Sequence, residues 1–210
     1  MRVLLALASV LAAQPNSDRQ IWSELDIRGR VSPGMDLTWS LLNRESFRGA
    51  HAAAGTRATG LDLNIRLSRH FALTPSYYYA ESRTQTGQWL PTHLPTLAAN
   101  LIFEAQRCVF SDRNRLVGVL SAGQAFWVYQ NRPRLDCRIG SGRTASSVFV
   151  WDEVSYYSIA AWTRNRLASG VHVPLSARYT LDVFYMWQRD VRNQPGRVDA
   201  LGVTLMGSFP

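Results

Sequence analysis

The chain is predicted to be all-β: an antiparallel up-and-down transmembrane β-barrel of ten to twelve strands that follows an N-terminal signal peptide. Three observations predict it. First, the stretch WTRNRLASGVHVPLSARYTLDVFYMWQRDVRNQPGRVDALGVTLMGSF at 162–209 alternates apolar and polar residues over three long runs, with aromatics near the run ends. Period-two alternation of this length is how lipid-facing and lumen-facing side chains sort in a membrane barrel. Second, MRVLLALASVLAA at 1–13 has the basic start, apolar middle and small residues of a signal peptide cut after Ala12 or Ala13. Third, no later stretch reaches the eighteen or so apolar residues a membrane helix needs. An exported chain without a helical anchor, patterned in this way, belongs in the bacterial outer membrane. Residues 14–210 then form one barrel domain.

Composition narrows the partners. The net charge of +8 comes entirely from 23 arginines, with no lysine in the chain. Each cation is therefore a planar fork suited to carboxylate or phosphate. The arginines are spread singly along predicted strands instead of gathering in a patch, which argues against nucleic acid.

The elements follow in order. IWSELDIRGRV at 21–31 sets Trp22, Glu24, Asp26, Arg28 and Arg30 opposite Ile21, Leu25, Ile27 and Val31, and the run SPG at 32–34 is a tight turn. MDLTWSLLNRESF at 35–47 sends Met35, Leu37, Trp39 and Leu41 outward, with Asp36, Thr38, Ser40 and Arg44 inward. After a small-residue loop at 48–56, Leu61, Leu63, Ile65 and Leu67 alternate with Asp62, Asn64, Arg66 and Ser68. A turn near His70 leads to a strand at 71–83, then a longer loop at 84–95 that carries Trp89. A fifth strand at 97–110 turns at Ser111–Asn114 into the weakly alternating RLVGVLSA. The next strand, at 125–140, contains Pro133, which removes one ladder donor and predicts a bulge or local break. Strands at 147–158 and 163–175 precede the two terminal ones. Alternation marks eleven segments. With both termini on one side the number must be even, so ten or twelve is expected and twelve is preferred. Short turns are assigned to the periplasmic side and the connections at 48–56, 84–95 and 192–197 to the outside. The terminal strand, apolar at alternate positions and ending on Phe209, has the form of a signal for the outer-membrane assembly machinery, although Pro210 follows it.

Two cysteines occur. Export permits a disulfide. By parity, however, Cys108 shares a face with Glu104 and Gln106, and Cys137 with Leu135 and Ile139. Opposite faces cannot be bridged, so free thiols are expected.

The candidate functional residues are the charged inward positions: Glu24, Arg44, Asp62, Arg66, Glu104, Arg132, Arg134, Asp136, Asp152, Glu153, Arg164, Arg166 and Asp182. In a narrow lumen these cross-brace the barrel as a plug, because unpaired charge there is costly. The sharper alternative is a constriction that selects small anionic solutes. The adjacent pair Asp152–Glu153 stands out. Simple alternation aims one of them at lipid, and a bulge would be needed to turn both inward. Set beside Arg164 and Arg166, they are either two salt bridges or an acid–base pair. Of the four histidines only His172 has lumen parity, and no pair has metal-ligand spacing. A serine–histidine–acid set can be assembled from it and nearby serines, but no nucleophile signature is present. No catalytic residue, cofactor or metal is assigned. Trp39, Tyr77, Tyr129 and Trp187 read as interfacial girdle.

IWSEL, QNRPRLDCRIG, FVWDEVSYY and RNRLASGVHVPLSARYTLDVFYMWQRD together resemble the domain-of-unknown-function family 2490, over about 20–209. The resemblance rests on Arg164–Asn165–Arg166, partly on Asn131–Arg132–Pro133–Arg134, and on Asp152–Glu153. It implies an exported barrel and transfers no catalytic residue. The functional expectation is a narrow pore or structural barrel whose partners are outer-membrane lipid and lipopolysaccharide. The alternatives are an enzyme acting on lipid or lipopolysaccharide through Asp152 or Glu153, and a docking protein using the loops at 48–56 and 84–95.

Overall fold

The alternation predicted from the sequence closes into a barrel. The computed structural model describes residues 17–48, 51–84, 86–140, 145–191 and 196–210. The expected signal peptide at 1–13 lies outside these. The strands are β1 (Ser17–Ser32), β2 (Met35–Arg48), β3 (His51–Arg66), β4 (Phe71–Arg83), β5 (Trp89–Ala105), β6 (Cys108–Ser121), β7 (Gln124–Arg138), β8 (Ser147–Tyr157), β9 (Ala161–Pro174), β10 (Tyr179–Asp190) and β11 (Arg197–Phe209). Each pairs antiparallel with its sequence neighbours, and β1 closes the barrel against β11 in parallel, from Ser17↔Arg197 to Gly29↔Phe209. The expectation of ten or twelve strands is therefore corrected to eleven. An odd count leaves the first and last strands running the same way, and a parallel ladder joins them with evenly spaced, slanted bonds that are slightly weaker per residue than antiparallel ones.

Chain reversals corrected the reading at two places. The turn expected at Ser111–Asn114 is mid-strand in β6, and the reversal falls at Gln106–Arg107, where Gln106 takes φ of 51°. Ser-Asp-Arg-Asn has turn composition, whereas Gln-Arg has none, so local chemistry pointed to the wrong four residues. The loops expected at 48–56 and 84–95 are mostly strand, since β3 starts at His51 and β5 at Trp89. The break expected at Pro133 is present: the β7–β8 ladder runs Gln130↔Ser155, Asn131↔Val154 and resumes only at Arg134↔Trp151.

Moving the turn to 106–107 puts Cys108 on the outer face with Ala105, opposite to the face expected, and leaves the inward set of the later strands as predicted. Cys108 and Cys137 are direct cross-strand partners and form a disulfide, which corrects the expectation of free thiols.

The outer face carries exposed Leu37, Leu61, Leu97, Leu135, Val150 and Val203, with Trp39, Tyr77 and Trp162 above and among them. At mid-barrel the lumen is filled. Trp22, Phe149, Trp151, Ala168, Met186 and Ala200 form one buried cluster with Phe184 packed against it. Glycines make room for it. An added Cβ would stand 2.0 Å from Phe184 Cζ at Gly202 and 2.2 Å from Tyr78 Cδ1 at Gly60, so both rings lie flat against bare backbone.

Candidate functional site in the lumen

The row of side chains that crosses the lumen is set by strand register. Arg113 on β6 pairs with Arg132 on β7, Glu153 on β8 pairs with Arg166 on β9, and Arg166 pairs with Gln188 on β10. All five point inward. Glu153 has no solvent exposure at all. Its Oε2 accepts from Arg132 Nε at 2.8 Å and Arg113 Nη2 at 3.4 Å, and its Oε1 from Arg166 Nη1 at 3.0 Å. Arg166 Nε donates to Gln188 Oε1 at 2.7 Å, Gln188 Nε2 to Asp190 Oδ2 at 2.7 Å, and Arg164 Nε to Asp190 Oδ1 at 2.7 Å. One carboxylate thus anchors three guanidinium groups and a chain of neutral and acidic acceptors.

Aromatic rings complete the lattice. Arg132 lies 4.3 Å from the centroid of Trp151, while Arg44 and Arg166 lie 3.9 and 5.3 Å from that of Trp22. A ring face shields a cation that has too few carboxylates to go round. The surplus remains real, because Arg44 Nε is buried without a hydrogen-bond partner.

Towards the rim where β11 ends at Phe209, a cavity of about 850 Å³ is lined by Arg134, Asp136, Arg138, Ser147, His172 and Asp182, among others. Arg134 forks onto Asp136 at 2.7 and 2.8 Å and reaches Asp182 at 3.7 Å. His172 Nδ1 lies 2.5 Å from Asp182 Oδ1. In register, Ser147 faces His172 and His172 faces Asp182, so serine, imidazole and carboxylate share one row across three strands.

The predicted site residues divide into groups. Arg132, Glu153, Arg164 and Arg166 join the central lattice, and Arg134, Asp136 and Asp182 line the cavity. Arg44 packs on Trp22, Glu24 is half-buried beside it on β1, and Asp62 accepts hydrogen bonds from Ser76 and Tyr78 instead of an arginine. Arg66 is exposed at the rim, 3.9 Å from Asp36, and Glu104 is exposed near the end of β5. Asp152 is on the other face. β8 has no bulge between it and Glu153, so Glu153 enters the lumen while Asp152 points outward and accepts from Asn165 Nδ2 at 2.7 Å. The two carboxylates therefore cannot act as an acid–base pair. Sequence reasoning missed Arg113 and Arg115, which were assigned to a turn and to a poorly alternating run. It also missed Phe184. Among the described residues no cluster of three or more metal-ligating side chains occurs.

Fold and lumen define a closed β-barrel with an inward-facing arginine–carboxylate lattice. Within that class the chain belongs to the family described as protein of unknown function (DUF2490), whose model matches residues 19–199. Among solved structures it is similar to LpxR from Salmonella typhimurium, with a TM-score of 0.55 and 8% identity over 82% of this chain and 83% of that one. At that identity the likeness concerns fold. No curated protein matches the chain.

Proposed function

We propose that this protein is an outer-membrane barrel whose lumen is sealed, a structural platform that works at its wall and rims and does not conduct. The observation that carries this reading is Glu153, fully buried at mid-barrel among Arg113, Arg132 and Arg166 and flanked by the buried cluster of Trp22, Trp151 and Met186. A conducting pathway needs a wet lining, and here the polar groups are spent on one another. The exposed apolar outer face supports the membrane location, as does likeness in fold to LpxR. The alternating β11, ending on Phe209, is suited to engage the outer-membrane assembly machinery. The test is single-channel recording of the refolded protein in a planar bilayer with a salt gradient. The expected result is silence from protein that shows heat-modifiable migration on a gel. Stable anion-selective steps would instead make the arginines a selectivity element for small anionic solutes.

A second reading is favoured by the Ser147–His172–Asp182 row in the cavity at the Phe209 rim. It would make the barrel an ester hydrolase acting on a membrane lipid, with Ser147 as nucleophile, His172 as base and Asp182 orienting the imidazole through its Nδ1. A fluorophosphonate probe should then label wild-type protein on Ser147 and fail to label His172→Gln. An unlabelled Ser147 in folded protein removes this reading.

A further inference from the structure

Glu24 is a lumen carboxylate that stands outside the central lattice. It points inward from β1, where its cross-strand neighbours Thr204 and Leu42 carry no charge. Across the lumen it lies within electrostatic reach of Arg44, Arg132 and Arg113, yet among the described residues it makes no hydrogen bond or ion pair. Arg44 is its counterpart. Its guanidinium stacks on Trp22 at 3.9 Å and shares that ring with Arg166 at 5.3 Å. It has no acceptor among the described residues, and its Nε is buried without one. Arg113 reaches Glu153 through one bond at 3.4 Å, and Arg132 places Nε and Nη2 on Glu153, so each retains unused N–H groups.

Water reaches these groups inside the wall. Along the inward face of β1, Trp22 is buried, Glu24 and Asp26 are half-buried and Arg28 is exposed, so access increases from mid-barrel towards the Phe209 rim. Arg113 and Arg132 face inward and their side chains are nevertheless 31% and 23% exposed. The other acids on that side are engaged. Asp26 accepts from Ser40 at 2.6 Å, Asp62 from Ser76 and Tyr78, and Asp182 is paired with His172 and Arg134. An unengaged acceptor thus faces three cations with donors to offer.

We infer that this part of the lumen binds a phosphate group that keeps one proton, its unprotonated oxygens on Arg44, Arg113 and Arg132 and its P–OH donating to Glu24. Guanidinium forks suit a tetrahedral oxyanion through charge-assisted hydrogen bonds. Glu24 sets the selectivity. A carboxylate accepts from a P–OH and repels an anion that has no proton to give, so sulfate and chloride are disfavoured at neutral pH. A metal cation would gain Glu24 and sit among three guanidinium charges. The phosphate comes from the aqueous lumen, free or as the end of a soluble monoester. The inference goes beyond the sealed-barrel reading, since a lumen closed at mid-barrel holds a ligand as well as a conducting one does.

The test uses the full chain refolded in neutral detergent micelles, with folding checked by heat-modifiable migration. Isothermal titration calorimetry is run with inorganic phosphate, sodium sulfate and sodium chloride at neutral pH and matched ionic strength. Wild-type protein should bind phosphate saturably and show no saturable heat with the other two. Absence of phosphate binding overturns the inference, as does sulfate binding of equal strength, and neither result needs a variant. Arg44→Gln should weaken phosphate binding about tenfold or more, because a charged hydrogen-bond partner is lost. Unchanged affinity in folded Arg44→Gln protein overturns the inference. Glu24→Gln offers N–H donors where the carboxylate was, so it should bind sulfate as well as phosphate; a folded variant that still rejects sulfate overturns the role given to Glu24. Glycerol 3-phosphate distinguishes the sources: tighter binding than inorganic phosphate supports a monoester ligand, and weaker binding supports the free ion.

Discussion

Glu153 is the residue on which the lumen turns. Among the described residues it is the one carboxylate within 3.4 Å of Arg113, Arg132 and Arg166, and its own exposure is zero. Burying a charge in a low-dielectric site is offset only by close partners, so removing one member leaves the others uncompensated. Glu153→Gln keeps the shape and drops the charge against three guanidinium groups. It should cost about 3–5 kcal/mol, read as a lower urea midpoint for unfolding from detergent or vesicles. Arg66→Gln is the contrast: its side chain is 60% exposed and 3.9 Å from Asp36, so the midpoint should move by no more than about 0.5 kcal/mol.

At the level of strands, the large lumen rings need bare backbone beneath them. Gly170 and Gly202 flank Phe184 in register from β9 and β11. At Gly202 the three atoms nearest an added Cβ all belong to the Phe184 ring, which can turn aside. A Cβ at Gly170 would meet the Val183 carbonyl oxygen at 2.5 Å and Phe184 Cβ at 2.6 Å, neither of which can turn aside. Gly202→Ala should therefore cost about 1–3 kcal/mol and Gly170→Ala more, by the same unfolding measurement. Gly29→Ala, with open space around the new atom, should be neutral or slightly stabilising. The disulfide acts at this level too. It ties β6 to β7 across a separation of 29 residues, and reduction should lower stability by about 2–4 kcal/mol, with the mass gain on alkylation confirming two released thiols.

For the whole molecule, closure depends on the parallel seam between β1 and β11. β11 lies between β1 and β10 and is hydrogen-bonded to both, so its loss opens two edges at once. Deleting residues 197–210 should abolish the heat-modifiable band altogether. The filled interior makes the companion expectation that the intact barrel is electrically silent, since neither water nor ions can replace what Glu153, Trp22 and Trp151 occupy.

The all-β class, the outward and inward sets on β1, β2, β10 and β11, and the break at Pro133 were legible in the residues. Alternation with period two is a local property, and the apolar band imposes it wherever a strand crosses that band. Glu153 and Arg166 were legible as inward charges for the same reason. What could not be read locally was anything that depends on where the chain reverses. Gln106–Arg107 lacks turn chemistry and Ser111–Asn114 has it, so one misplaced turn hid Arg113, Arg115 and the Cys108–Cys137 bridge. It also hid that Asp112 and Asn114 face outward beside Asp152. Strand number, the parallel closure and the partner of every buried charge are settled by register across the sheet, because a side chain's parity fixes its face while only its neighbouring strands fix what it meets there.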